Sequence, residues 1–384
     1  MDAMTLRSRL AIATGAAGAL GALAVATART SRDVSEQIGG VPDGARLARM
    51  ERSRQWWDGR FHNRDHAASA GPGSDAASAR DAARRFLTDR ALREPPVPVP
   101  MRTDALRLPP HGVQFSWLGH ASMLLSLGGE HLLFDPVWSE RCSPSAHVGP
   151  RRMHPVPFDL SDLPPLAAVV ISHDHYDHLD MSTMQALSRT QDCRFVVPLG
   201  IGAHLERWGV DLDRIVELDW SESTRVGSVE LTAVSSQHFS GRGIRRNPTL
   251  WASWVASSPA GSVYFSGDTG YFDGFREIGA EYGPFDAAFM AVGMYDPAWR
   301  PVHLDPEEAV QATVELGARV AVPIHWCTFA LAPHPWAEPP ERFVAAAEEA
   351  RLAYVIPEVG EAVDAAAVLD GPPVDDRPWW RPAS

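Results

Sequence analysis

Four apolar runs in this sequence each stop at histidine or aspartate. "LAAVVIS" (166–172) leads into "HDHYDHLD", "LTAVSSQ" into His238, "SVYFSG" into Asp268 and "VAVPI" into His325. Aliphatic and β-branched runs of this length, bounded by polar residues, read as buried strands. Imidazoles and carboxylates are costly to bury singly, but they suit a shared divalent cation. A strand end holds the next side chain with little positional freedom. The chain is therefore constrained to bring several strand ends to one edge of its fold.

The runs lie in a pattern of strands with helices between them. "VQFSWLGHASMLLSLGGEHLLFDP" (113–136) predicts two short strands joined through Gly128-Gly129, the punctuation of a β-hairpin. A strand at 166–172 is followed by a helix in "DMSTMQALSR" (180–189), a strand at 194–198 and a helix at 201–208. The second half repeats the idea with strands at 229–238, 262–270, 285–293 and 319–325. "HLDPEEAVQATVELG" carries Asp305 at an N-cap, Pro306 at the first helical position and Glu308 in capping-box position, and it ends at Gly317. Two similar halves of this kind predict an α/β fold, an αββα sandwich of two mixed β-sheets flanked by helices.

The domain reading is a hydrolase-sized unit over 111–365, an irregular extension over 31–110 and a tail over 366–384. The extension is small and polar in "HAASAGPGSDAASARDAARR" and stiff in "REPPVPVP". Residues 1–30 read as a signal peptide or membrane anchor, or else as a docked or loose helix. Arg7 and Arg9 precede an uncharged Ala- and Gly-rich stretch (10–28), and Ala26 and Ala28 form an A-x-A-like cleavage pattern. The expected location is membrane-associated or exported, with the cytoplasmic face left open.

Composition removes several function classes. A formal net charge of −13 argues against nucleic-acid binding, which needs a basic footprint. The basic side chains are all arginine, so Schiff-base lysine chemistry and a P-loop are excluded. Cys142, Cys193 and Cys327 are too few and too scattered for a disulfide framework or a thiolate zinc site.

The spacing in H-D-H-Y-D-H adds detail. His173 and His175 alternate, so in an extended segment they point the same way and can hold one ion. Asp177 and His178 come after a turn and can reach a second. Two ions about 3.5–4 Å apart, sharing a hydroxide and a bridging carboxylate, form the geometry of hydrolytic two-metal sites.

These residues carry a resemblance. "SHDHYDHLD", "GHAS" (119–122), "FSGDTGY" (265–271) and "IHWCTF" (324–329) resemble the metallo-β-lactamase superfamily, and within it the N-acyl-phosphatidylethanolamine-hydrolysing phospholipase D group. Further stretches similar to that group include "SPSAHVGPRR" (143–152), "SSQHFSGR" (235–242), "GPFDAAFMAVGMYDP" (283–297) and "HLDPEEAV" (303–310). The resemblance runs from about residue 111 to 360 and gives no support to the N-terminal hundred residues.

The resemblance implies two zinc ions per chain. One is held by His173, His175 and His238, the other by Asp177, His178 and His325, with Asp268 bridging. It implies a phosphodiesterase in which a metal-bridging hydroxide attacks phosphorus. Zinc chemistry fits, since the ion acidifies water and stabilises charge on phosphoryl oxygens. Asp177 and Asp268 are candidates to accept the water proton. His303 is a candidate for phosphate binding or leaving-group protonation, against the plainer reading that it only precedes the Asp305 cap. Two positions depart from the group: Asp174 stands where asparagine is common, and Cys327 where glycine is common. Cys327 reads as a small buried filler or as an oxidisable thiol.

The expected substrate is N-acyl-phosphatidylethanolamine or a related glycerophospholipid, cleaved to phosphatidic acid and an acylethanolamide. A lactone, cyclic phosphate or sugar phosphate is the alternative, and a non-catalytic binding module that keeps the fold is the rival from another class. Expected partners are the small phosphodiester and a membrane surface, with a homodimer as a further expectation. Trp117, Trp138, Phe239, Tyr271, Tyr295, Trp299, Trp326 and Phe329 cluster around the motifs as groove or core residues. "MYDPAWR" (294–300) is the best groove candidate.

Overall fold

The structure is a computed structural model that describes residues 33–64, 84–86, 88, 90–370 and 378–381. The leader or anchor expected at residues 10–28 lies outside them. No helix among the described residues is long and apolar enough to cross a membrane.

A short hairpin near the N-terminus, β1 (Trp56–Trp57) and β2 (Arg60–Phe61), precedes two seven-stranded sheets. The first sheet contains β3 (Val113–Trp117), β4 (Met123–Leu127), β5 (Glu130–Phe134), β6 (Ala168–Val170), β7 (Arg194–Pro198), β8 (Ile215–Leu218) and β16 (Val363–Asp364). Its order is β16-β3-β4-β5-β6-β7-β8. The second contains β9 (Ser223–Val226), β10 (Val229–Val234), β11 (Ser253–Ser258), β12 (Gly261–Phe265), β13 (Phe285–Ala291), β14 (Ala318–Ile324) and β15 (Ala353–Tyr354). Its order is β15-β14-β13-β12-β11-β10-β9. In each sheet antiparallel pairs on one side give way to parallel strands on the other, β5 to β8 and β12 to β15. This is the mixed-sheet sandwich expected from the sequence.

The continuous apolar runs have a direct cause. Along β5 and β6, Leu132, Phe134 and Val170 face the other sheet, while Leu133, Val169 and Ile171 face outward under helices. A strand covered on both faces cannot alternate apolar and polar residues. The two inner faces meet in close ring pairs, Phe115 with Phe289 at 5.0 Å and Phe134 with Phe265 at 4.9 Å. Offset and edge contacts of this kind add about 1 kcal/mol each beyond area burial. The helix Met181–Thr190 covers the first sheet, and the helices Pro306–Glu315 and Glu338–Ala350 pack on each other beside the second.

The segment 113–136 folds into three strands where two were expected. Gly128 and Gly129, both at positive φ, turn β4 into β5 as predicted. An additional tight turn at Leu118–Ser122 divides the first run, closed by Ser122 N–H donating to the Gly119 carbonyl at 3.0 Å. Gly119 sits at φ 98°, where an added Cβ would lie 2.8 Å from His154 and Thr328. The turn places His120 at φ 50° on the edge of the sandwich.

In the segment expected to be irregular, the described residues form a helix at Gly44–Met50 and the β1–β2 hairpin. Met50 and Phe61 are buried against Leu199, Leu250 and Trp251. At the other end of the chain, Trp379 and Trp380 fold back onto Trp326 and Trp336, and Trp379 Nε1 donates to the Ile356 carbonyl at 3.0 Å.

Candidate metal centre

β5 and β6 run parallel in the first sheet and β10, β12 and β14 share one sense in the second, and the segments that follow β6, β10, β12 and β14 meet at one edge of the sandwich. Ligand sites of open α/β sheets form at this end of the strands. The histidine-rich loop after β6 is pinned at both sides. Ser172, before it, donates from N and Oγ to Asp135 at 2.7 and 2.5 Å. Asp180, after it, caps the helix Met181–Thr190 by accepting from Ser182 N–H. A turn inside the loop, with His178 and Leu179 N–H donating to the His175 carbonyl, separates the H-D-H half from the D-H half.

The predicted residues converge. The side-chain nitrogens of His173, His175 and His238 lie within 4.8 Å of one another, and a second group contains Asp177, His178 and His325. Asp268 stands between the two. Its carboxylate lies 3.9 Å from His173 Nε2, 3.7 Å from His238 Nε2, 3.3 Å from His178 Nε2 and 3.1 Å from His325 Nε2. His303 joins this edge, grouped with His238 and Asp268, and its ring stacks on His325 at 5.8 Å.

The arrangement fits a divalent cation. His178 Nε2, His325 Nε2 and Asp268 Oδ1 are buried without a hydrogen-bond partner among the described residues, although each has polar neighbours within reach. Orphaned polar atoms of this kind are rare in folded proteins unless an ion or water completes them. All seven predicted side chains carry nitrogen or oxygen donors, a set suited to zinc and similar ions.

The electrostatics are those of a cation site. Burial and the neighbouring imidazoles hold His173 well below the ordinary histidine range, and burial and His303 act in the same direction on His238. Burial opposes charge on Asp177 and Asp268, yet the surrounding histidines hold both carboxylates well below their usual range. His178 is buried too, but Asp268, Asp177 and Asp135 push it well above the ordinary value. Burial lowers His303 to about 4, which leaves a neutral ring at pH 7.

Three contributors were not legible in the sequence. His120 Nε2 lies 3.0 Å from Asp177 Oδ2 and completes a four-residue group with Asp177, His178 and His325. It belongs to the quoted "GHAS" stretch, but no apolar run leads directly into it. Asp135 accepts from His178 Nδ1 at 2.7 Å and orients that ring. Asn63 binds the main chain of His238. Asp174 has a structural role: it accepts from Gly241 N–H at 2.7 Å and Thr249 Oγ at 2.9 Å, and so ties the ligand loop to the segment after His238.

The aromatic cluster separates into core and rim. Trp117 stacks on Trp326 at 5.3 Å deep in the sandwich. Trp138 donates to the Phe158 carbonyl, and Trp299 to the Met294 carbonyl. Tyr271 donates to Glu315, and Phe239 and Phe329 pack on His175 and His120. Tyr295 stacks on His334 and lines a cavity of about 460 Å³ that reaches His303. "MYDPAWR" thus contributes Tyr295, Asp296, Pro297 and Arg300 to this cavity, whose walls also carry Arg342 and Glu338. Cys327 is buried at φ 72°, and burial pushes its thiol far up. Cys142, Cys193 and Cys327 are all unpaired and buried.

Comparison with known proteins gives a consistent picture. The family model described as "Beta-lactamase superfamily domain" matches residues 130–326. An uncharacterised protein of Mycobacterium tuberculosis is 46% identical over 344 residues, covering 86% of this chain and 88% of that protein. The N-acyl-phosphatidylethanolamine-hydrolysing phospholipase D 1 of Caenorhabditis elegans is 36% identical over 230 residues, covering 57% of this chain and 65% of that protein. The structure of Igni18, a metallo hydrolase from Ignicoccus hospitalis, superposes with a TM-score of 0.51 at 22% identity, covering 65% of this chain and 97% of that one.

Proposed function

Because the chain belongs to the beta-lactamase superfamily and is one of its metal-dependent hydrolases, we propose that it is a dizinc phosphodiesterase acting on N-acyl-phosphatidylethanolamine or a related glycerophospholipid. The observation that carries this reading is the placement of Asp268 between two groups of histidines. One ion belongs to His173, His175 and His238, the other to Asp177, His178 and His325, with Asp268 shared. The catalytic unit is 111–365, with 31–110 as an N-terminal extension and 366–384 as a tail.

Bound zinc supplies Lewis acidity toward phosphoryl oxygens and acidifies water near neutral pH. The protein does the rest. Asp177 and Asp268 remain ionised and would anchor positive charge, and either carboxylate is placed to accept a hydrogen bond from the attacking water and so orient it. His303, half-buried where the cavity meets the centre and neutral at pH 7, donates a hydrogen bond to the phosphate; a neutral ring does not serve as the acid for the leaving oxygen. The cavity wall carries charge of both signs, Arg300 and Arg342 beside Asp305 and Glu338, with each arginine ion-paired to a carboxylate.

The test has two parts. Elemental analysis of the purified protein should find about two zinc per chain. Incubation with a lipid extract, read by mass spectrometry, should release phosphatidic acid and acylethanolamides with the wild type and not with His175→Ala. If no phospholipid changes but a lactone, cyclic phosphate or sugar phosphate is consumed, the alternative substrate class replaces this one.

A further inference from the structure

His238 stands four residues beyond the last residue of β10, Val234, so the sheet ladder does not hold its backbone. Both of its main-chain polar groups are taken by one side chain far away in sequence. His238 N–H donates to Asn63 Oδ1 at 3.0 Å, and Asn63 Nδ2 donates to the His238 carbonyl at 2.9 Å. The Asn63 amide therefore pairs with the His238 residue on both sides, as a neighbouring strand would. Asn63 Oδ1 is held a second time, accepting from Trp251 Nε1 at 3.0 Å. The residue is 1% exposed.

The ring of His238 is fixed separately. Its Nδ1 donates to the Val302 carbonyl at 2.9 Å, which turns Nε2 toward His175 and Asp268. Two constraints are needed to aim an imidazole: one on the ring plane and one on the Cα from which it hangs. Val302 supplies the first and Asn63 the second. The hairpin that carries Asn63 is anchored reciprocally, with Phe61 N–H donating to the Asn247 carbonyl and Asn247 Nδ2 to the Phe61 carbonyl, each at 3.0 Å. Farther up the same segment, Arg242 Nε donates to the Gln37 carbonyl at 2.8 Å.

We propose that Asn63 is a positioning residue of the metal centre, holding His238 in register with His173 and His175 from a segment outside the 130–326 superfamily match. The proposal rests on His238 being a metal ligand, as proposed above. The N-terminal segment is then part of the centre, and the matched domain alone lacks one of its supports.

The experiment uses the full chain. Zinc affinity is measured by chelator competition for the wild type, Asn63→Ala, Asn63→Asp and Phe343→Leu. Phe343 is fully buried on the inner face of the helix Glu338–Ala350, so its variant controls for loss of stability remote from the site. Melting temperatures and visible spectra of the cobalt(II)-substituted proteins are recorded alongside. Removing a group that orients a ligand typically costs about 10- to 100-fold in metal affinity. Asn63→Ala should weaken one of the two zinc equivalents by about tenfold or more, leave the other nearly unchanged, and alter the cobalt spectrum. Asn63→Asp keeps both accepted hydrogen bonds but cannot donate to the His238 carbonyl, so it should shift the same equivalent in the same direction. Phe343→Leu should lower the melting temperature without either change. If the wild type binds two ions and both Asn63 variants match its affinities and spectrum, this inference is overturned and the dizinc reading stands. A wild type that binds no metal overturns both.

Discussion

His178 Nδ1 donates to Asp135 Oδ2 at 2.7 Å, with both side chains fully buried. The bond decides which nitrogen of His178 faces the centre, because the one engaged by Asp135 is unavailable to a metal. Asp135 also accepts from Ser172, so it aligns the ligand loop and the ligand ring together. Asp135→Asn keeps the size and loses the charge that favours this tautomer. We expect metal affinity to fall by about 10- to 100-fold, measured by chelator competition. Wild-type affinity in this variant would remove Asp135 from the account.

His120 extends the second group. Burial holds it at about 3, so it is a neutral ring beside the ionised Asp177 at neutral pH. Asp177→Ala should leave one metal equivalent per chain after gel filtration. His120→Ala should retain two equivalents but bind the weaker about tenfold less tightly. Equal affinity in His120→Ala and wild type would make His120 a packing residue only.

The three cysteines should be silent in the native protein. All are buried, and burial pushes each thiol above its ordinary range, which suppresses the reactive thiolate. Mass spectrometry after iodoacetamide treatment should show no labelled cysteine under native conditions and three after denaturation. Native labelling at Cys327 would instead favour the oxidisable-thiol reading.

Acid should destabilise the fold before its carboxylates titrate. His154 is buried, with Nε2 on Thr328 Oγ at 2.9 Å, and burial lowers it from 6.5 to about 4. The unfolded chain therefore takes up this proton first as pH falls. Stability from the neutral ring is complete above pH 6.5 and is lost progressively down to about 4, a change of about 3 kcal/mol. Urea denaturation of His154→Gln should show a shallower decline across that window. An unchanged slope would assign the acid sensitivity elsewhere.

What the sequence revealed follows from the physics of each signal. His173, His175, His238, Asp268 and His325 were legible because each follows an apolar run that predicts its own strand. The helix Pro306–Glu315 was legible because its capping box is local, and the structure forms both halves of it. His120, Asp135 and Asn63 were not, since each acts through one contact with a residue distant in the chain, and nothing in its neighbours marks the partner. The β11 strand "SWVASS" was missed because its apolar run is short and rich in serine. The same limit hid the split of the 113–136 run, where Gly119 and His120 adopt positive φ inside what reads as one strand.

The candidate ligands are divided between the two sheets. His173, His175, Asp177 and His178 follow a strand of the first, while His238, Asp268 and His325 follow strands of the second. An ion held by both would work as a caliper across the sandwich, because its affinity would register any sliding of one layer against the other. Substitutions at the seam between the sheets, at Phe134 or Phe289 for example, would then be readable as changes in metal binding before they became visible as unfolding, whereas one on an outer helix such as Phe343 would not.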